Sequence, residues 1–315
     1  MEYRTIKDLS RIIRTNLWQI PHNIDLVIGL PRSGMLPASV IALYLNKRFT
    51  DVDSFVNGHI YGTGWTRTEY MKESSIQKVL VVDDSVYSGK SITQAKDKLV
   101  EFRDIEFIYF SVFARSESCN FVDIYCEIID DERIFEWNLF HHYKLASACM
   151  DIDGILCCDP EIDDDGEKYM GFLNTAKPLF IPTAPVDTLI SCRLSKYRNQ
   201  TENWLKRNNI KYSNLVMLDL PDRNARIKWG KYGEFKGEYY RRSNDSLFIE
   251  SSLYQAVTIA QISHKPVICI ENNELIYYPD TSASVKGKVQ KHFPQLYAFL
   301  KKVKCTLCHF FERLS

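Results

Sequence analysis

Residues 79–92 read Val-Leu-Val-Val-Asp-Asp-Ser-Val-Tyr-Ser-Gly-Lys-Ser-Ile, and few folds accommodate that order. Four consecutive apolar residues predict a strand buried on both faces, as strands of parallel sheets are. Two adjacent acids end the apolar run. A loop of small hydroxyl residues with Gly89 follows. Ile92, Ala95, Leu99 and Phe102 then repeat at helical spacing over 91–102. Strand, loop and helix in that order form half of a βαβ unit. The loop falls beyond the carboxyl end of its strand, where open α/β sheets bind their ligands.

The same alternation extends in both directions. Residues 25–30 and 105–113 predict further buried strands, and 36–45 a helix. A second series begins near Leu145. It has strands at 146–153, 188–192, 215–218, 247–250 and 266–270, and helices at 197–208 and 254–262. The expected fold is therefore α/β, with two doubly wound, mostly parallel sheets, one per domain. Residues 1–144 form the first domain, 145–280 the second, and 281–315 a tail. A length of 315 residues fits two domains of ordinary size.

Composition narrows the partners. Forty basic side chains balance forty acidic ones, so no net field favours nucleic acid. Nine cysteines, an odd number, are scattered mostly singly through apolar runs, which suits a reducing compartment better than a disulfide framework. No apolar run is long enough to span a bilayer, and residues 1–18 lack the apolar core of a secretory signal. The expected location is cytoplasmic.

Around residues 83–91 the chemistry is that of an anion site. Backbone amides and the hydroxyls of Ser85, Ser88 and Ser91 at a helix N-terminus can cradle a phosphate, and Gly89 lets the backbone come close. Asp83 and Asp84 can hold ribose hydroxyls, directly or through magnesium. The plainer alternative is a capped helix with Ser91 as the cap. This stretch resembles the ribosyl-5-phosphate motif of type I phosphoribosyltransferases, with serines at the two usual threonine positions. The resemblance implies that Asp83 and Asp84 bind the ribose hydroxyls, while Ser85, Ser88, Gly89, Lys90 and Ser91 surround the 5-phosphate of phosphoribosyl pyrophosphate. Residues 29–34 (Gly-Leu-Pro-Arg-Ser-Gly) resemble the family's pyrophosphate loop, which puts Arg32, Ser33 and Gly34 at the leaving group. Residues 58–67 stand where the family has a lid, and Phe135-Glu136-Trp137 resembles its acceptor-binding hood. Together these features span roughly residues 20–140.

In the second half, Asp151-Ile152-Asp153-Gly154 follows an apolar strand. Two carboxylates so placed can divide nucleophilic and acid–base work; a turn or a calcium loop contains the same pattern. The downstream order, with Ser191 in an apolar strand, Lys236, then Glu250 at another strand end, resembles the haloacid-dehalogenase-like phosphatases. That resemblance makes Asp151 the nucleophile and Asp153 the acid–base. Ser191 and Lys236 would hold the transferring phosphoryl group, and Asp151, Asp153 and Glu250 would bind Mg2+. Ser251 and Ser252 stand where the family usually carries another acid, and Lys228 and Lys231 are alternatives to Lys236. Only about 30 residues separate the first two motifs, which implies a capless or small-cap, open site.

From Phe293 the apolar residues recur every three or four positions, the pattern of one helical face. Lys286, Lys288, Lys291, Lys301, Lys302, Lys304 and Arg313 oppose only Glu312, a net of 7 − 1 = +6. A basic amphipathic helix suits an anionic membrane surface, here the inner face. Docking on its own domain, or on a second copy in a homo-oligomer, is the alternative. Cys305-Thr306-Leu307-Cys308-His309 matches a haem-attachment pattern, but without an export signal it is read as part of the helix.

The two resemblances together match bacterial enzymes that build ribofuranose into surface polysaccharides. The implied function is transfer of 5-phosphoribosyl to an acceptor glycan, lipid-linked, with release of pyrophosphate, followed by hydrolysis of the 5-phosphate. The alternatives are soluble nucleoside synthesis and a non-catalytic sensor of phosphoribosyl pyrophosphate.

Overall fold

The computed structural model describes residues 1–62, 75–160 and 166–278. The chain divides into two compact units, Met1–Leu139 and Phe140–Ser315. The tail, with Cys305 and Cys308, and residues 63–67 of the expected lid lie outside the described residues.

The strands of the first unit are β1 (Glu2–Arg4), β2 (Leu26–Gly29), β3 (Arg48–Asp51), β4 (Lys78–Val86), β5 (Glu106–Ala114), β6 (Ile124–Ile128) and β7 (Arg133–Phe135). Its helices are α1 (Ile6–Asn16), α2 (Met35–Leu45), α3 (Val52–Val56) and α4 (Lys90–Leu99). Five strands form a parallel sheet in the order β3-β2-β4-β5-β6, while β1 pairs with β7 separately. The consecutive apolar residues of β4 divide between two cores by strand alternation. Leu80 and Val82 join Val27, Phe110 and α1–α2 on one face. Val79 and Val81 join Leu26, Ile28 and α4 on the other. Double burial is therefore the reason that this strand reads as a continuous apolar run.

The second unit has strands β8 (Ala148–Met150), β9 (Val186–Leu194), β10 (Tyr212–Leu218), β11 (Leu247–Glu250), β12 (Val267–Cys269) and β13 (Glu274–Ile276). Its helices are α5 (Glu167–Thr175), α6 (Arg198–Arg207), α7 (Arg223–Trp229), α8 (Tyr232–Arg242) and α9 (Leu253–Ser263). The sheet order is β10-β9-β8-β11-β12-β13, parallel except for β13. Helices α8 and α9 cover one face through Tyr240, Ala256, Ile259 and Ala260 against Phe248 and Val267. The α/β expectation with mostly parallel sheets thus holds in both units.

In each sheet the strand order reverses about one central strand, β2 in the first unit and β8 in the second. Ligand crevices of open α/β sheets form beside that reversal, outside the carboxyl ends of the strands. The loops after β2 and β4, and those after β8 and β11, are therefore where chemistry is expected. Among the described residues no helix is long and apolar enough to cross a membrane.

Candidate active sites

In the first unit, β4 runs further than its apolar residues alone predict. It stays paired with β5 to Val86, opposite Ala114, so Asp83 and Asp84 are strand residues, 7% and 3% exposed. Burial, and then the adjacent Asp84, push the Asp83 carboxyl up to about 8. Asp84 is held from three sides. Its backbone N–H donates to Asp83 Oδ1 (2.9 Å), Ser33 Oγ donates to its Oδ1 (2.9 Å), and Trp137 Nε1 donates to its Oδ2 (2.9 Å). The loop after β2 and the acid pair are thus one assembly. Gly34 is what allows it. A Cβ there would lie 2.6 Å from Leu30 O, 2.8 Å from Val82 O and 3.0 Å from Asp83 Cα, all backbone atoms.

After the acids, residues 83 and 85–92 line a concavity of about 90 Å³. Helix α4 starts at Lys90 with Gly89 as its N-cap (φ +74°) and has no side-chain cap. Ser91 is inside the helix, so the capping alternative for it is not what the fold uses. Its first-turn amides have no capping side chain and suit an anion. Ser88, Lys90 and Ser91 are exposed around them. On the opposite loop Arg32 is exposed and donates through Nη2 to Asn138 Oδ1 (2.7 Å).

Of the expected hood, Trp137 reaches Asp84 and stacks on Phe135 at 4.8 Å, with an interplanar angle of 1°. Glu136 instead accepts from the Ile6 amide at the start of α1 (2.6 Å), a structural role. The acid pair also suits magnesium. Two hard oxygen-bearing groups lie side by side, and their mutual repulsion in a buried setting is what a cation would relieve.

In the second unit, Asp151 directly follows β8, Ser191 lies on β9, Glu250 ends β11, and Lys236 projects from α8. Lys236, 1% exposed, joins two of them. Its Nζ lies 2.6 Å from Asp151 Oδ2 and 2.8 Å from Glu250 Oε2. Lys228 and Lys231 are exposed, and of the three lysines it is Lys236 that meets Asp151 and Glu250. Burial drives the Asp151 carboxyl up to about 8; Glu250 and Asp153 add to this and Lys236 opposes it. The Lys236 ammonium is raised by Asp151 and Glu250, despite a burial cost that acts the other way. Glu250 Oε1 accepts from Ser252 N (3.1 Å) and Ser251 Oγ (3.3 Å), so the serines that replace an acid serve the remaining one.

Asp153 is held by a residue that sequence reading passed over. Arg193, 1% exposed, donates to it through Nε (3.0 and 3.2 Å) and Nη2 (2.6 Å). A local signal was present: a cation stands two residues after Ser191, near the carboxyl end of β9. Ser191 is fully buried and its Oγ accepts from Arg193 N at 3.1 Å. Asp159, also unselected from sequence, feels the charges of Asp153 and Glu250, and burial with those charges raises its carboxyl.

Asp151, Asp153 and Glu250 have the donor chemistry for Mg2+. In this arrangement they do not fit it as a set, because Lys236 bridges the first to the third and Arg193 clamps the second. The described residues contain no group of three or more such donors placed to hold a metal ion.

The phosphoribosyl transferase domain family matches residues 2–143. Solved structures similar to the chain include a purine phosphoribosyltransferase from Pyrococcus horikoshii Ot3, at 18% identity over 43% of this chain and 92% of that one, TM-score 0.31. The xanthine-guanine-hypoxanthine phosphoribosyltransferase of Helicobacter pylori is similar at 17% identity over 44% and 92%, TM-score 0.33. The orotate phosphoribosyltransferase of Aeropyrum pernix shares 18% over 39% and 70%, TM-score 0.30. No curated protein matches the sequence at a significant level. With the acid pair, the uncapped helix start and the Gly34 contact all inside the matched segment, residues 2–143 are a type I phosphoribosyltransferase domain.

Proposed function

We propose that the chain transfers 5-phosphoribosyl from phosphoribosyl pyrophosphate to a glycan acceptor in surface polysaccharide synthesis, and that its second unit then removes the 5-phosphate. Phosphoribosyl transfer in general follows from the family of residues 2–143. The observation that carries the second step is the convergence of Asp151 and Glu250 on Lys236 Nζ, at 2.6 and 2.8 Å, beside the carboxyl ends of β8 and β11.

In the first step the bond from ribose C1 to pyrophosphate breaks through an oxocarbenium-like state, a bond from C1 to an acceptor hydroxyl oxygen forms, and that hydroxyl's proton is released with pyrophosphate. Asp83 and Asp84 bind the ribose hydroxyls and set negative charge near the cationic ring. The amides after Gly89 hold the 5-phosphate, and Arg32 meets the departing pyrophosphate. Asp83 and Asp84 would hold magnesium bound with the donor, and the ion would supply charge neutralisation for the leaving pyrophosphate. In the second step an Asp151 oxygen attacks phosphorus, with Ser191 and Lys236 at the transferring group, and Asp153 supplies a proton to the leaving ribose oxygen; Asp153 then takes a proton from water, which attacks the aspartyl phosphate, frees Asp151 and releases inorganic phosphate. Arg193 fixes the rotamer of Asp153 for that transfer.

A glycan on a lipid carrier explains two features at once. The short stretch of about 30 residues between the first two phosphatase motifs leaves no room for a large cap over a phosphate displayed on a bulky substrate, and a tail of net charge +6 suits an anionic membrane. The test is mass spectrometry of products formed from phosphoribosyl pyrophosphate and candidate acceptors. Wild type should add ribose, and Asp151→Asn should stop at phosphoribose, because an amide cannot form an aspartyl phosphate. Release of phosphate by Asp151→Asn would remove the nucleophile assignment.

A further inference from the structure

Arg133 is a buried cation that the transfer chemistry does not use. It opens β7 and is 9% exposed, and its Nη1 is buried without a hydrogen-bond partner. Arg115, just past β5, leaves its Nε in the same state, although its Nη2 pairs with Glu117 at 3.4 Å. Both guanidinium groups face Tyr87. The Cζ of Arg115 lies 4.9 Å from the ring centroid, and that of Arg133 5.4 Å. Arg133 also sits 5.7 Å from the Phe135 ring. Aromatic faces accommodate a cation but accept no conventional hydrogen bond, so the orphaned donors stay unmatched. Burial lowers the Arg133 pKa and neighbouring Arg115 adds to this, while Asp84, Tyr87 and Asp130 oppose it. Two like charges with unmatched donors beside a substrate site favour an anion.

The donor's own anions are served elsewhere. The concavity at residues 83 and 85–92 includes neither arginine, and Arg32 belongs to the loop after β2. Strand β7 instead leads within two residues to Trp137, whose indole meets Asp84. We propose that Arg133, with Arg115 across Tyr87, binds an oxyanion carried by the acceptor, a carboxylate or a phosphate. A guanidinium fork matches either group with two parallel bonds. The acceptor is thus an anionic molecule, and the inference rests on the phosphoribosyl-transfer reading of this unit.

The experiment follows the arginine Nε–Hε and tryptophan indole NMR signals of the full chain, assigned with Arg133→Lys and Trp137→Phe. Phosphoribosyl pyrophosphate with magnesium is added to saturation first; methyl phosphate, acetate and methanol are then titrated separately. The donor should move the Trp137 signal. Methyl phosphate or acetate should then move the Arg133 signal saturably, and methanol should not. The anion that binds more tightly identifies phosphate or carboxylate as the acceptor group. In Arg133→Lys the anion affinity, read on the Trp137 signal, should fall at least tenfold, and the donor response serves as the folding control. The proposal is overturned if the donor alone moves the Arg133 signal with no further response to either anion, or if neither anion moves it at all. If the donor leaves Trp137 unmoved, the transfer reading fails, and the same anion titration on ligand-free protein still decides the role of Arg133.

Discussion

Replacing Lys236 by methionine keeps most of its volume and removes the charge that joins Asp151 to Glu250. The ammonium is 1% exposed and lies 2.6 and 2.8 Å from the two carboxylates. Removing one partner of a buried ion pair costs about 3–5 kcal/mol, because it strands the opposite charge in a poor solvent for ions. For a unit of this size that corresponds to a fall of about 6–20 °C in Tm. The loss must depend on pH. Asp151 already stands at about 8 with the lysine in place, and in the variant its carboxyl rises further. A carboxyl raised above its unfolded value of about 3.9 contributes stability below that value and loses it as pH rises through the folded one. The variant should therefore lose about the same stability at pH 5 and pH 7, where Asp151 carries its proton in both proteins, and lose more above pH 8, where wild type ionises it and the variant does not. The assay is urea unfolding at pH 5, 7 and 8.5, followed through Trp204 and Trp229 in the second unit. An equal loss at pH 7 and 8.5, or a loss under about 1 kcal/mol at pH 8.5, would refute the reasoning, since a paired charge buried to this degree cannot be removed so lightly.

Other substitutions probe the remaining features. Gly34→Ala pushes a methyl group onto three backbone atoms at 2.6–3.0 Å. Overpacking of that kind costs about 1–3 kcal/mol and should weaken phosphoribosyl pyrophosphate binding at least tenfold by calorimetry; unchanged binding and Tm would show that the loop has room. Truncation after residue 285 removes the net charge of +6 at about 1 kcal/mol per basic residue near an anionic surface. It should abolish salt-sensitive co-sedimentation with anionic liposomes, and equal sedimentation of both forms would make the tail a packing element.

Much of the framework was legible because burial writes itself into local pattern. β2, β4, β5, β9 and β11 appear as apolar runs, since each is enclosed by its sheet and covering layers. The acid pair, the Asp151-x-Asp153 motif and the serine loop could be read because their residues are adjacent in the chain. Other elements carried no such signal. Helix α8 contains Gly233 and Gly237, poor helix formers. Only the packing explains them: a Cβ at either would meet Thr258 or Ile262 of α9 at 2.8–3.0 Å. Strand β7 is three residues long, too short for any periodicity.

The sequence by itself determined the two mostly parallel α/β sheets and the position of an acid at the end of each key apolar run, because those depend on spacing along one segment. Tertiary structure decided which distant side chains meet those acids. It chose Lys236 over Lys228 and Lys231, set Arg193 on Asp153, brought Trp137 to Asp84 across 53 positions, and left Arg133 buried with a donor unmatched. Such pairings depend on strand order and on how far each helix reaches over its sheet. They arise between segments remote in the chain, and only the packed core fixes them.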